Sequence, residues 1–143
     1  MFPATGILHY ELTNTAPPYK LIVSIDQAIS DYYLSTVPLY HRPYPRPQMH
    51  KAHISVVRKE TPTNFAAWNK HEGAEIAFEY EHNVRWDGAY YWIDCYSMEL
   101  EDIRSELELY NKPLHPATYH TPMPENTPYS KRFHITIGNI KPA

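Results

Sequence analysis

Two short stretches of the chain repeat one order of polar and apolar residues. Residues 51–58 and 132–139 each run through a basic residue, an apolar residue, His, Ile, a hydroxyl residue and an apolar residue. Side chains two apart on a β-strand point to the same face, so the His and the hydroxyl would share one face. The pattern therefore predicts two strands, each presenting an imidazole beside a hydroxyl.

Further elements are predicted ahead of the first of these strands. Residues 7–12 alternate between apolar and polar, and residues 19–25 are almost continuously apolar, so both are predicted strands. Asp26 is a candidate N-cap, and apolar residues at helical spacing follow it until Pro38. Residues 39–51 then predict a loop rich in Pro, aromatic and basic residues that leads into the first His strand.

The second half of the chain repeats this order of elements. Residues 75–84 and 90–96 are strand-like runs on either side of an Asp-Gly turn, which predicts a hairpin. Ser97 is a candidate cap for a helix with one apolar face. A long loop at residues 112–131 precedes the second His strand, and residues 62–73 predict a short helix between the halves. Two such units would pack about a pseudo-twofold, with the His strands facing each other across a cleft.

The composition favours a single domain that spans residues 1–143. A chain of 143 residues can bury a sizeable core without disulfides or structural metals. Its formal net charge of −3 gives no general attraction to nucleic acid, so an anion site must be local. The single Cys95 is expected in the core of a protein from a reducing compartment. With no secretory leader pattern and no run of ~18 apolar residues, we expect a cytoplasmic protein without membrane association.

Two imidazoles in one site are suited to proton transfer at neutral pH. Their ordinary pKa near ~6.5 lets one accept a proton while the other donates one. On opposite sides of a phosphodiester, His53 and His134 would form a catalytic acid/base pair, in an order that the sequence leaves open. Ser55 and Thr136 would donate hydrogen bonds to the non-bridging phosphate oxygens. Such a site needs neither a metal nor another cofactor.

The two motifs, His53-Ile54-Ser55 and His134-Ile135-Thr136, resemble those of the 2H phosphoesterase superfamily. The resemblance covers roughly residues 19–140, and it is closest to the small phage-type branch that includes the anti-CBASS nucleases. It implies an α+β fold that is bilobal and duplicated, with two antiparallel sheets related by a pseudo-twofold, helices outside and a central cleft. Ser55 stands where Thr is commoner, which affects the fine geometry of phosphate binding.

The same resemblance implies a metal-independent phosphodiesterase that hydrolyses cyclic di- and trinucleotide signals, in the host cytoplasm if the chain is phage-encoded. A 2′,3′-cyclic phosphodiesterase or a 2′–5′ phosphodiesterase acting on RNA ends or oligoadenylate would use the same pair of histidines. A non-catalytic nucleotide-binding sponge is the alternative from another class, and a purely structural protein is a third. Turnover of excess ligand separates an enzyme from a sponge.

The loops and strand ends around the motifs supply aromatic rings and cations. These groups suit the bases and phosphates of a short oligonucleotide better than a long duplex. The candidate substrate-binding residues are Tyr40, Arg42, Tyr44, Lys51, Tyr119, Tyr129, Lys131 and Arg132. The alternative interpretation is that the rings only pack the loops and the cations are solvated strand ends. His115 and His120 have no further candidate ligands near them, so a zinc site is not predicted.

Overall fold

The computed structural model describes residues 1–11, 19–41, 43–109 and 126–141. These ranges are mostly antiparallel strands. The strands are β1 (Phe2–Tyr10), β2 (Lys20–Ser24), β3 (Arg46–Pro47), β4 (His53–Arg58), β5 (Glu75–Tyr80), β6 (Arg85–Trp86), β7 (Tyr90–Tyr96) and β8 (Phe133–Asn139). The helices are α1 (Gln27–Ser35) and α2 (Met98–Glu106), and Phe65–Ala67 forms a short 3-10 helix.

Six of these strands close into an antiparallel barrel. Neighbours around the ring follow the order β8, β4, β2, β1, β5 and β7, and β7 pairs again with β8. The two-residue strands β3 and β6 add to the ring at β8 and β7, respectively. Closure gives each of the six strands a paired neighbour on both sides, with one residue pair between β4 and β8 and two between β5 and β7.

The expected bilobal α+β fold, with two sheets related by a pseudo-twofold, helices outside and a central cleft, is wrong. β1 pairs with β2 on one side and with β5 on the other, which joins the two halves of the chain. β8 joins them a second time, because it pairs with both β4 and β7. Two connections merge the strands into one closed barrel with two short helices, and the repeated order of elements does not produce two lobes.

Both helices begin at the predicted caps. The Asp26 side chain accepts a hydrogen bond from the backbone N–H of Ala28, at 2.9 Å. The Ser97 hydroxyl accepts one from the backbone N–H of Leu100, at 3.2 Å. These contacts satisfy amide groups that have no partner within the helix, which explains why the chain turns helical at these points. In the described residues no helix has the length and apolar character needed to cross a membrane.

The predicted Asp-Gly hairpin is present, but its first strand is shorter than expected. Arg85 and Trp86 pair with β7 across the turn, and Gly88 adopts a left-handed φ of 100°. The Asp87 carboxylate accepts hydrogen bonds from the backbone N–H groups of Ala89 and Tyr90. β5 is a separate strand that meets only the far end of β7. β1 is longer than predicted, because its first half pairs with β5.

The hydrophobic core fixes which face of each strand is turned inward. Ile93, Ile135 and Ile54 lie opposite one another on β7, β8 and β4, and all three are fully buried. Burying each of these side chains contributes about 1.5–3 kcal/mol. The apolar face of α2 joins the same core. Cys95 is fully buried as expected, and this burial raises the pKa of its thiol.

β1 and β2 approach each other closely at Gly6, where a larger side chain would not fit. A Cβ atom at Gly6 would lie 2.5 Å from the carbonyl oxygen of Ser24 and 2.5 Å from a methyl carbon of Val23. Since the backbone oxygen belongs to the paired strand, we expect Gly6→Ala to lower the free energy of unfolding by about 1–3 kcal/mol in urea denaturation. Thr5→Ala, at the exposed neighbouring position, should change it by less than about 0.5 kcal/mol. An unchanged unfolding free energy in Gly6→Ala would contradict the contact.

Candidate active site

The two His motifs lie side by side on adjacent strands. β4 and β8 run antiparallel, and Ile54 of the first motif lies directly opposite Ile135 of the second. Both isoleucines are buried in the core, so the residues that alternate with them point to the other face of the sheet. The His and hydroxyl side chains of both motifs therefore share one face.

The register of these strands brings the four motif residues into one cluster. Continuing the antiparallel register of the Ile54–Ile135 pair by one residue on either side sets His53 opposite Thr136 and Ser55 opposite His134. In this extended register the two histidines are diagonal neighbours across the strand pair. Diagonal neighbours are about 7–8 Å apart, a separation at which two imidazoles can contact one phosphate group from different sides.

A cavity of about 540 Å³ opens over this face of the sheet. His53, Ser55, His134 and Thr136 all line it. The other lining residues are Lys20, Gln48, His50, Arg58, Lys59, Tyr90 and Trp92. Among the described residues that form this lining none is acidic, whereas three carry a permanent positive charge. The cavity is therefore suited to an anionic ligand.

The His53 ring is oriented by the backbone of its own strand. Its Nδ1 donates a hydrogen bond to the carbonyl oxygen of Lys51 at 2.7 Å, which leaves Nε2 as the proton-accepting atom of the neutral ring. Burial lowers the pKa of His53 below its usual 6.5, and the nearby charges of Lys20, His50 and Arg58 lower it further. The hydrogen bond to Lys51 acts in the opposite direction and is outweighed. His53 is consequently neutral at pH 7 and able to accept a proton.

The surroundings of His134 are different. Its Nε2 lies 3.8 Å from Oδ1 of Asp94, which stands directly opposite His134 on β7. The Trp92 indole packs edge-on against the imidazole, with ring centres 5.7 Å apart. The side chain is only 11% exposed. His134 therefore has a carboxylate beside it, whereas the charges near His53 are those of Lys20, His50 and Arg58.

Asp94 is a site residue that the sequence analysis missed. It is fully buried, and its Oδ2 accepts a hydrogen bond from Arg85 Nε at 2.6 Å. Its Oδ1 accepts one from Trp92 Nε1 at 3.1 Å, and Arg132 Nε lies 3.6 Å from Oδ2. Burial raises the pKa of Asp94, and the charges of Arg85 and Arg132 lower it. The signal in the sequence was an acidic residue in the middle of the otherwise apolar and aromatic strand 90–96.

Of the predicted substrate-binding residues, Tyr40, Tyr44 and Lys51 are described but do not line the cavity. Arg42 and Tyr119 are outside the described residues, as are His115 and His120. Tyr40 is 83% exposed, and the Tyr44 hydroxyl donates to carbonyl groups at the end of α1. Lys51 is exposed as well, and its observed contact with the site is the backbone carbonyl that holds His53.

The remaining three candidates, Tyr129, Lys131 and Arg132, contact protein groups. Tyr129 stacks on Tyr96, and its hydroxyl donates to Glu79 at 2.6 Å, a contact that raises the pKa of Tyr129 to about 12. Lys131 is 2% exposed, and burial lowers its pKa to about 8. Arg132 is also buried, and its Nε donates to the Tyr96 hydroxyl at 3.2 Å. In the described residues, none of these three lines the cavity.

The cations that do line the cavity come from strand pairing. Lys20 of β2 lies opposite Arg58 of β4, on the pair of strands that also carries His53. The sequence placed both residues at the ends of strands, but their proximity depends on the register of β2 and β4. His50 and Gln48 belong to the loop before β4, which the sequence had correctly placed next to the first motif.

No protein-family model, curated protein or solved structure matches this chain. The resemblance to the 2H phosphoesterases accordingly rests on the two His motifs, and the fold that it implied is not the one observed. Within the described ranges, no three His, Cys, Asp or Glu side chains are grouped as metal ligands. Function is best judged from the chemistry that the clustered side chains can perform.

The lowered pKa of His53 can be measured directly. We expect its C2–H resonance to titrate with a midpoint below 6.5 in NMR spectra of the wild-type protein. Lys20→Gln should raise this midpoint because one of the cations near the ring is lost, whereas Lys70→Gln, which removes a lysine outside the cavity lining, should not change it. The unfolded chain takes up this proton near pH 6.5 and the folded chain only at lower pH, so His53 lowers stability as the pH falls through that window. A midpoint at or above 6.5 would contradict the described environment.

Proposed function

We propose that the protein is a metal-independent phosphodiesterase that hydrolyses cyclic nucleotide signals through acid/base catalysis by His53 and His134. The observation that carries this proposal is that His53 and His134, on two paired strands, both line one cavity. The cationic lining of that cavity gives further support, because the substrate of such an enzyme carries a negative charge at each phosphate.

The reaction requires two proton transfers at one phosphorus atom. One imidazole accepts a proton from the attacking water, or from a 2′-hydroxyl whose cyclic phosphate product water then opens, as the new bond to phosphorus forms. The other imidazole donates a proton to the leaving oxygen as the old bond breaks. A positioned general acid or base contributes roughly 10²–10⁴ in rate, so two of them supply much of the acceleration that the reaction needs.

The phosphate itself is held by the hydroxyls and cations of the same face. Ser55 and Thr136 lie beside the histidines and can donate hydrogen bonds to the non-bridging oxygens, where negative charge increases in the transition state. Lys20 and Arg58 line the cavity next to His53 and supply positive charge. Charge-assisted hydrogen bonds of this kind are about twice as strong as neutral ones.

The cavity favours a compact nucleotide as the substrate. Its volume of about 540 Å³ is in the usual range for small-molecule sites, roughly 300–1,000 Å³. Tyr90 and Trp92 line it, and aromatic side chains of this kind provide surfaces for nucleobases. We propose cyclic di- and trinucleotides as the substrates, as in a phage counter-defence enzyme acting in the cytoplasm of the host. A 2′,3′-cyclic phosphate or a 2′–5′ linkage would use the same two histidines.

Replacing either histidine should abolish most of the activity without unfolding the protein. We expect His53→Ala and His134→Ala each to lower kcat at least ~100-fold, because each removes one of the two proton transfers. His9→Ala is the matched control, since His9 lies outside the cavity lining and contacts Glu72. Circular dichroism and thermal unfolding check the fold of all three variants. Full activity in either active-site variant would contradict the proposed mechanism.

A substrate panel without added metal tests the reaction and its metal independence together. We expect turnover of one or more members of a set containing cyclic di- and trinucleotides, 2′–5′ oligoadenylate and nucleoside 2′,3′-cyclic phosphates, with products identified by mass. EDTA should leave the rate unchanged, and loss of activity on chelation would contradict the metal-independent mechanism. An excess of ligand recovered unchanged would identify a sponge instead of an enzyme.

A further inference from the structure

A β-bulge near the end of β4 turns one more cation towards the cavity. Val56 has no counterpart on β2, because the pairing with that strand skips from Ser55 to Val57. Val56 and Val57 are consecutive, yet both are fully buried, so the alternation of the strand changes phase at this point. Arg58 would point into the core in a regular strand. With the extra residue it lines the cavity together with Ser55.

A buried arginine from α2 holds this strand end in place. Nη1 of Arg104 donates to the carbonyl oxygen of Val56 at 2.7 Å, and its two terminal nitrogens bind the two carboxylate oxygens of Glu60 at 2.8 Å. Between these two contacts, Lys59 adopts a left-handed φ of 58°. Such a conformation costs free energy in a residue with a Cβ atom, and it persists where the surrounding contacts impose it. The cavity side of this strand end, which presents Arg58 and Lys59, is therefore a fixed part of the structure.

The strand pairing places a third cation against these two. Lys20 of β2 lies directly opposite Arg58, and like charges in this position repel each other. Among the described residues, no acidic side chain forms an ion pair with Lys20, Arg58 or Lys59. Glu11 contacts Lys20 through its backbone N–H, at 3.0 Å from the carbonyl oxygen, and does not line the cavity. We call these three cations the outer cluster; an anion bound between them would relieve their repulsion.

The outer cluster carries more positive charge than one phosphodiester group can balance. A phosphodiester has a single negative charge, and the hydroxyls of Ser55 and Thr136 already lie beside the two histidines to hold it. Arginine and lysine side chains bind phosphate oxygens through charge-assisted hydrogen bonds. A nucleoside 2′,3′-cyclic phosphate has one phosphate, whereas a cyclic dinucleotide has two and a cyclic trinucleotide has three. The charge of the cavity therefore matches a ligand with further phosphates.

We propose that Lys20, Arg58 and Lys59 form a second phosphate subsite, which binds a phosphate group that is not cleaved and selects substrates with two or more phosphates. The selection of substrates rests on the proposed function, whereas the binding of a second phosphate does not. The reacting phosphate lies over the two His motifs, and the next phosphate of the same molecule lies towards the end of β4. The subsite favours cyclic di- and trinucleotides over nucleoside 2′,3′-cyclic phosphates.

Two nucleotides that lack a phosphodiester bond test the subsite without any turnover. In isothermal titration calorimetry, the wild-type protein should bind adenosine 3′,5′-bisphosphate at least ~10-fold more tightly than adenosine 3′-monophosphate, because hydrogen bonds to a second charged group are added. We expect Arg58→Gln to remove most of this preference. Lys59→Asn should reduce it too, and asparagine tolerates the left-handed φ of this position. Lys70→Gln is the control, since Lys70 pairs with Glu106 outside the cavity lining and its loss should leave the preference unchanged.

Two results of this titration would overturn the subsite. One is equal affinity of the wild-type protein for the two nucleotides. The other is a preference that remains at its wild-type value in Arg58→Gln, with circular dichroism showing a folded variant. A preference that falls equally in Arg58→Gln and Lys70→Gln would attribute it to the net charge of the protein and would overturn the subsite as well.

Steady-state kinetics test whether the subsite selects substrates. We expect Arg58→Gln to raise KM for cyclic di-AMP about tenfold with little change in kcat, because the lost contact is present before and during the reaction. The loss of kcat/KM on adenosine 2′,3′-cyclic phosphate should be smaller. Equal losses on both substrates would assign Arg58 to the reacting phosphate and overturn the selection.

The failure of this proposal can be distinguished from the failure of the proposed function. A wild-type protein that prefers the bisphosphate, loses the preference in Arg58→Gln and turns over no phosphodiester would retain the subsite and contradict the enzyme. A phosphodiesterase with no preference for the bisphosphate would contradict the subsite and retain the catalytic proposal.

Discussion

The insertion of β8 between β4 and β7 is the constraint on which the rest of the structure depends. It closes the barrel and aligns Ile135 between Ile54 and Ile93 in the core. On the other face it places His134 opposite Asp94 and in the same cavity as His53. A shift of one residue in this pairing would turn the histidine into the core and the isoleucine into the cavity. The burial of three isoleucines opposes that shift, so the same apolar contacts that stabilise the fold also hold the polar groups in position.

The parts of the structure that depend on neighbouring residues could be predicted from the sequence. The caps Asp26 and Ser97, the Asp-Gly turn and the two His strands are each specified within a few residues. The fold was predicted wrongly because closure depends on the pairing of β1 with β5 and of β7 with β8, which join segments far apart in the chain. A repeated order of elements is compatible with both two lobes and one ring, and only these long-range pairings distinguish them.

The site shows the same division between local and long-range information. Both motifs could be assigned to one face of their strands, because alternation is a local property. The cations could not be assigned in this way. Lys131 and Arg132 stand directly before β8 yet are buried, whereas Lys20 and Arg58 reach the cavity because β2 pairs with β4. Asp94 lies beside His134 through a third strand, so its proximity depends on a register that the sequence pattern leaves open.

The position of β8 late in the chain has a consequence for synthesis on the ribosome. β4 and β7 are synthesised before β8, and each has one edge that pairs with β8 in the closed ring. Until β8 leaves the exit tunnel, those two sides are open edges that can pair with another nascent chain. His53 is present throughout this interval without His134, so the cavity that both histidines line is completed by the same event that closes the barrel.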